Sequence, residues 1–382
     1  MKIIKFIKRF IYEIHLIITN ETKNLNLNKK FYIKQKNTNN YFLRSIYQFE
    51  IQRKLISKKK IWILEILSSF ILIPLCIFIL INFIFSSKQK IKSSKLILIS
   101  AKPYNNLKKY LKKKYGKAKV FNLKLSYCAM SLQNIFQVLI LWKKCRSFYF
   151  IIKILYKSSI YIYLIKTYKP KYILTSSEFS FSSSWLTDLC EEKKITHINA
   201  MHGEKIINFR DCYSSFHQII IWDNHYKKVF KAMNTKTNSY KKVNIDTVKK
   251  IKKKNKYFMT YYLKDDFQYF KKLADLIKIK NKKNIKICFR INPKTFFKKK
   301  FFDYCEKNGF FYEDPSKTSL QKSFNSTNYI VSKLSSALHI AQKSGFKIAV
   351  DDLLSMEELK YLKLRKFFVL SKNYNLLTKI LC

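Results

Sequence analysis

From Lys95 onward the apolar positions fall into short unbroken runs, separated by stretches whose apolar residues recur at helical spacing. This alternation predicts βα units around a parallel sheet, because strands covered by helices on both faces are apolar at every position. Strands are expected at 95–100, 118–125, 171–177, 197–201 and 218–223, with a long apolar helical stretch from Leu132 to Thr167. Residues 234–256 break the pattern: they are polar, rich in Lys and Asn and without periodicity, and read as a linker. A second series follows, with strands expected at 257–263, 285–292, 328–333, 347–352 and 367–371. The chain is therefore expected to be α/β, with two Rossmann-like domains at 95–233 and 257–382 behind a basic N-terminal region at 1–94.

Within that region, Ile61 to Phe85 is almost wholly apolar, with Glu65 as its one charge. The run exceeds the ~20 residues that cross a hydrocarbon core, so it reads as a membrane segment, either a full span or a re-entrant one. Lysines flank it on both sides and leave its orientation open. A buried helix of the fold is the alternative reading. Ile3, Ile7, Ile11, Ile14 and Ile18, with Lys2, Lys5, Lys8 and Arg9 between them, suit either a basic amphipathic helix on a membrane surface or a helix packed on its own domain. No small-residue cleavage site follows them.

Composition sharpens the picture in two respects. Hydrophobic residues make up 48% of the chain and aromatics 16%, which excludes global disorder. The formal net charge of +54 favours anionic partners: phospholipid headgroups, nucleic acid or phosphorylated substrates. Part of that charge belongs to a bias toward Lys, Ile, Asn, Phe and Tyr throughout the sequence. Arg, which supplies bidentate base and phosphate contacts, is scarce, so a specific nucleic-acid reader is disfavoured. The eight cysteines form no C-x-x-C pair and read as reduced core thiols of a cytosolic chain.

In open α/β sheets ligands bind beyond the carboxyl ends of the strands, which makes the residues there the candidates for chemistry. The first half offers Ser176, Ser177 and Glu178, then His202, Gly203, Glu204 and Lys205, then Asp223. "MHGEK" at 201–205 gathers an imidazole, a carboxylate and a cation around one of only four glycines. Gly203 is read as a close-approach position, His202 as a general base and Glu204 as its neighbour in catalysis. In the second half, "KLSSALHIAQKSG" places Ser335 and Ser336 at a helix start, where hydroxyls and free N–H groups suit a phosphate. An ordinary N-cap is the plainer account of those serines. Asp351 and Asp352 are adjacent on a strand, point to opposite faces and do not share an ion readily. No metal-ligand spacing such as H-E-x-x-H occurs.

Together, Pro170 to Ser180, "MHGEK", "IIIWDNHYKKVF" at 219–230, "FRINPK" at 289–294 and "YIVSKLSSALHIAQKSGFKIAVDD" at 329–352 resemble the bacterial GT-B glycosyltransferases of surface polysaccharide synthesis. That broad group includes the CDP-glycerol glycerophosphotransferases and bacterial sialyltransferases of capsule and lipooligosaccharide. The resemblance implies two Rossmann-like domains facing a cleft, a nucleotide-sugar donor, a lipid-linked or oligosaccharide acceptor, and neither metal nor cofactor. It assigns His202-Gly203 to the cleft and Ser335-Ser336 to the donor phosphates, where Arg290, Asn292 and Lys333 are expected to join them. Where the group carries His-Pro, this chain carries Asn292-Pro293, and Asn supplies hydrogen bonds but no proton. With the hydrophobic segment, the resemblance implies a place on the cytoplasmic face of the inner membrane. A non-catalytic protein of the same fold, binding an acidic glycan or anionic lipid, is the rival reading.

Overall fold

The structure is a computed structural model that describes residues 38–86, 93–99, 107–201, 203–244, 247–251, 255–263, 267–293, 295, 297–353 and 356–381. The amphipathic stretch at 3–18 and His202 lie outside the described residues. The chain divides into two compact units; the second comprises Gly203–Ile207 together with the residues that follow Asn244.

The first unit opens with helices α1 (Tyr41–Lys54) and α2 (Lys58–Ser86). It continues through β1 (Leu96–Ile99), α3 (Lys108–Tyr115), β2 (Ala118–Phe121), α4 (Leu132–Ile140), α5 (Phe148–Tyr168), β3 (Tyr172–Thr175), α6 (Ser182–Glu192), β4 (Thr196–Ala200), β5 (Ser215–Ile221), α7 (His225–Ala232) and β6 (Lys236–Lys242). All its strand pairs are parallel, in the order β2-β1-β3-β4-β5-β6. Successive residues of a strand face opposite sides, and both sides are covered. Ile97, Ile99 and Ile173 join the core formed with α5 and α6, whereas Leu96, Leu98 and Leu174 meet Leu107, Leu111 and Tyr115 on the α3 side.

Two expectations are corrected here. The 234–256 stretch does not begin as a linker, because β6 lies within it and pairs along β5. As an edge strand with half its residues exposed, β6 has no need of an apolar run. Nor do the described residues before Lys95 stand apart from this unit, since α1 and α2 contribute to its core. Phe42, Ile46 and Phe49 of α1 pack into that core, and buried polar side chains anchor the helix as well: the Gln48 amide donates to the Glu178 carbonyl at 2.9 Å, the Gln52 amide to the Phe179 carbonyl at 2.8 Å, and Arg44 Nε to Ser215 Oγ at 2.8 Å.

Helix α2 runs unbroken through Pro74 and lies parallel to α5. Glu65 fixes one end, accepting from the Ser147 hydroxyl at 2.5 Å and the Tyr149 N–H at 3.2 Å. This puts a carboxylate at the positive end of the α5 dipole. Lys166 Nζ, 4.6 Å from the Phe83 ring, fixes the other. Leu64, Ser68, Leu75 and Ile79 face inward, while Trp62, Phe70, Ile73 and Phe85 on the far side are each 66–75% exposed. Both α2 and α5 are long and apolar enough to cross a membrane by length and composition, but α5 is largely buried in the unit.

His197, on β4, is fully buried. Its ring lies 3.1 Å from the Tyr161 hydroxyl and 2.8 Å from Thr187 Oγ1. Burial, helped by the neighbouring His217, lowers its pKa to about 3. The unfolded chain takes up this proton near pH 6.5, so the native state loses stability as pH falls from there toward 3, by about 1.4 kcal/mol per pH unit. Between pH 7 and 5 that amounts to about 2 kcal/mol. Urea denaturation of His197→Gln is expected to show a correspondingly flatter dependence on pH; equal slopes in variant and parent would refute the assignment.

The second unit contains β7 (Tyr257–Tyr262), α8 (Phe267–Lys280), β8 (Ile287–Arg290), α9 (Lys298–Lys307), β9 (Phe311–Glu313), α10 (Leu320–Phe324), β10 (Thr327–Ser332), α11 (Ser336–Lys343), β11 (Lys347–Val350), α12 (Met356–Leu364), β12 (Asn375–Leu376) and α13 (Leu377–Leu381). Its strands are again all parallel, in the order β12-β11-β10-β7-β8-β9. Counted from β7 as the first strand, this is 6-5-4-1-2-3, the dinucleotide-binding arrangement. One face packs Met259, Tyr261, Phe289, Val331 and Ala349 against α8, α9 and α13. The apolar run at 367–371, expected as a strand, is a 3-10 turn, and the edge position goes to β12.

Candidate functional site

The order of the second sheet reverses between β10 and β7. At such a switch point the loops after the two central strands diverge and leave a crevice beyond their carboxyl ends. Lys333, Ser335 and Ser336 follow β10 and stand at this point. Ser335 is the N-cap of α11, its Oγ accepting from the Ala337 N–H at 3.1 Å. Ser336 opens the helix, and among the described residues its hydroxyl has no hydrogen-bond partner. The two serines thus divide the roles between them: one completes the helix end and the other presents a hydroxyl beside it.

Lys333 Nζ lies 4.5 Å from the centre of the Tyr269 ring. The Tyr269 hydroxyl donates to Asp351 Oδ2 at 2.8 Å, and the Tyr261 hydroxyl donates to the same oxygen at 2.6 Å. Burial first, and then the Asp351 charge, raises the Tyr261 pKa well above its ordinary value, so that phenol stays a donor. Asp352 accepts from the Thr378 N–H at 2.9 Å and its hydroxyl at 2.6 Å, which secures the start of α13. The two carboxylates therefore act separately, as their adjacent positions on a strand end imply, and each is engaged within the fold.

Arg290 ends β8 and is engaged within the fold. Its guanidinium donates to Glu313 Oε2 at 2.9 Å and to the Thr318 carbonyl at 2.7 Å, and both members of the ion pair are buried. The pairing follows from register: β8 and β9 are neighbours, and Arg290 lies beside Glu313. Asn292, just beyond, is exposed, and its carbonyl accepts from the Thr295 N–H at 3.0 Å. A cavity of about 510 Å³ near this ion pair, lined by Glu313, Thr318, Lys256, Lys317 and Lys322 among others, contains none of the expected site residues.

Gly203 has a φ of +80°, and a Cβ added there would meet no atom within 4 Å. Backbone conformation, not crowding, therefore accounts for the glycine in "MHGEK". Glu204, expected beside the catalytic base, is buried: its Oε2 lies 3.4 Å from His339 Nδ1, and its Oε1 accepts from the Phe368 N–H at 3.3 Å. The His339 ring packs on Phe368 with centroids 4.3 Å apart. This arrangement joins Glu204 to α11, the helix that Ser336 opens. The sequence signal for His339 was its place on that helix, but nothing local linked it to a glutamate far earlier in the chain. In the first unit, the Ser176 hydroxyl donates to the Ala200 carbonyl at 2.8 Å and the Ser177 N–H to Asn199 Oδ1 at 3.0 Å, so both serines tie strand ends together.

Among the described residues no group of three or more His, Cys, Asp or Glu side chains is placed to hold a metal ion. No family model and no curated protein sequence matches the chain. Solved structures similar to it include the wall teichoic acid polymerase TagF in a variant soaked with CDPG, at a TM-score of 0.43 and 9% identity, covering 76% of this chain and 78% of that one. TarM is similar at a TM-score of 0.33 and 12% identity, over 48% of this chain and 41% of that one. UGT73P12 of Glycyrrhiza uralensis, complexed with glycyrrhetinic acid 3-O-monoglucuronide, is similar at 0.37 and 11%, over 66% and 69%. At these scores and identities, nothing about donor or acceptor carries across.

Proposed function

We propose that this protein is a GT-B-type glycosyltransferase of bacterial surface polysaccharide synthesis, moving a sugar from a nucleotide-activated donor to a lipid-linked or oligosaccharide acceptor. The observation that carries this reading is the switch point of the second sheet, where an unengaged hydroxyl, a helix N-terminus and Lys333 meet beyond β10 in a dinucleotide-binding strand order. There Ser336 and the first turn of α11 receive the donor phosphates, Lys333 supplies charge and Asn292 a further hydrogen bond. In this scheme His202 is the base on the acceptor hydroxyl, and Glu204, held by His339 and the Phe368 N–H, fixes the backbone that follows Gly203. The chemistry asks for no metal.

Nucleotide binding tests the donor site directly. In a thermal-shift series with CDP, UDP and GDP on the full chain, one nucleotide at ~100 times its Kd should stabilise the protein by about 2.7 kcal/mol. Ser336→Ala should remove most of that shift while leaving the unliganded melting temperature in place. Ser335→Ala serves as the control, since losing the cap costs about 1 kcal/mol with or without nucleotide. Absence of a shift with every nucleotide, or an identical shift in Ser336→Ala, would defeat the reading.

The acceptor side of the proposal places the protein on the cytoplasmic face of the inner membrane through α2. The inner face of that helix rests along α5, so α2 enters the bilayer in the plane of its surface, outer face down, instead of crossing it. Lys58, Lys59 and Lys60 at its start suit anionic headgroups.

A further inference from the structure

Lys153 and Lys157 stand one turn apart on the same side of α5. Ile160 and Leu164 continue that side and are fully buried, so it is turned toward the body of the first unit. The surroundings of the two lysines place them more closely. Lys153 Nζ lies 3.9 Å from the centre of the Phe181 ring, in the loop that follows β3. Lys157 is near enough to the Cys128 thiol, in the segment that follows β2, for each to act on the other electrostatically. Strands β2 and β3 flank β1, and the order of this sheet reverses between β1 and β3. The pair is therefore set over the carboxyl ends of the strands at the switch point of the first unit, where an open α/β sheet receives its ligand.

Among the described residues neither ammonium has a carboxylate partner, and the charge of Lys157 acts on Lys153. Burial is the larger cause, and the charge of Lys157 the second, that lowers Lys153 to about 7; burial lowers Lys157 to about 8. Two like charges withdrawn from water without a counter-charge destabilise a fold, and an oxyanion placed between them supplies both counter-charges at once. A phosphate group suits this spacing better than a carboxylate, because its several oxygens reach two ammoniums a helical turn apart. A half-buried position behind an aromatic ring admits a compact group and not a nucleic-acid backbone.

We infer that Lys153 and Lys157 form a seat for a phosphate or diphosphate group carried by the acceptor. The inference rests on the transferase reading only for calling that ligand the acceptor; the seat itself stands on the geometry of the first unit. The phosphate can come from a lipid diphosphate or from a soluble phosphate ester.

Calorimetric titration of the full chain with inorganic pyrophosphate and with farnesyl diphosphate tests it. Lys153→Met/Lys157→Met is compared with Lys193→Met/Lys194→Met, which removes the same charge from exposed lysines beyond α6. The first variant should bind pyrophosphate at least ~30-fold more weakly than the parent, the second within about twofold of it. The unliganded melting temperature of the first variant should rise, because two uncompensated charges are gone. Tighter binding of farnesyl diphosphate than of pyrophosphate supports the seat with a lipid-borne phosphate, and equal binding supports it with a soluble one. Unchanged pyrophosphate affinity in the first variant, equal losses in both variants, or a first variant that unfolds would each overturn the inference. Nucleotide binding, measured beside these, reports on the donor site alone: its absence with the pyrophosphate result intact counts against the transferase and leaves the seat in place.

Discussion

Replacing Phe70, Ile73, Ile77 and Phe85 of α2 with Ser is expected to release the protein from anionic vesicles, with partitioning lowered by about two orders of magnitude or more. These side chains lie on the face of α2 turned away from α5 and are 53–75% exposed. Full transfer of each into hydrocarbon is worth at least ~1.5 kcal/mol, or about 6 kcal/mol for the set. A helix lying in the headgroup boundary realises part of that, and half of it already changes a partition coefficient by about 100-fold. Lys58, Lys59 and Lys60 add about 1 kcal/mol each beside anionic lipid, so high salt should weaken attachment of the parent without abolishing it. Flotation with phosphatidylethanolamine and phosphatidylglycerol vesicles provides the readout. Ile79→Ser is the contrasting change: Ile79 is fully buried toward α5, and its loss should destabilise the first unit instead of freeing it. A parent protein that stays in the aqueous phase, or a quadruple variant that floats as well as the parent, would exclude attachment through α2.

The same helix shows how far the sequence could be read. Its length and apolarity were plain, but length and apolarity do not distinguish a helix facing lipid from one facing protein. The structure puts α2 in both situations at once, with Leu75 and Ile79 against α5 and Phe70 and Ile73 facing out. Glu65, the one charge that marked the run as unusual, is explained by a partner in another helix, the N-terminus of α5. Strands buried on both faces were legible because burial alone dictates their composition. Edge strands were not: in Lys236–Lys242 the parallel ladder to β5 supplies the hydrogen bonds and leaves the side chains free to be polar. Helix α1 was harder to read because its short stripe of Phe42, Ile46 and Phe49 is mixed with buried Arg44, Gln48 and Gln52, whose hydrogen bonds across the fold leave no periodic signal. At the candidate site, the positions of Ser335 and Ser336 followed from spacing. Their division into cap and free hydroxyl did not, because it depends on which oxygen reaches the Ala337 N–H.

Arg290 gives the sharpest contrast between the two levels, and the second large effect is expected there. Arg290→Ala should cost the second unit about 3–5 kcal/mol, the usual result of removing one member of a buried ion pair. The Glu313 carboxylate would stay buried, with the Ser326 hydroxyl at 3.3 Å as its remaining neutral partner, and the Thr318 carbonyl would lose the guanidinium. Removing both charges is a different matter. Arg290→Met/Glu313→Leu leaves no orphaned charge, so the double variant should recover most of the lost stability, because well-packed apolar replacements of buried pairs are commonly neutral or better. Denaturant titration of the two variants beside Glu313→Gln measures the coupling. The nucleotide response separates the structural role from the one the sequence suggested. If the guanidinium serves Glu313 and Thr318, the folded double variant keeps the thermal shift produced by the donor nucleotide. A double variant that folds but no longer responds to nucleotide, together with an Arg290→Ala variant as stable as the parent, would return Arg290 to the donor phosphates.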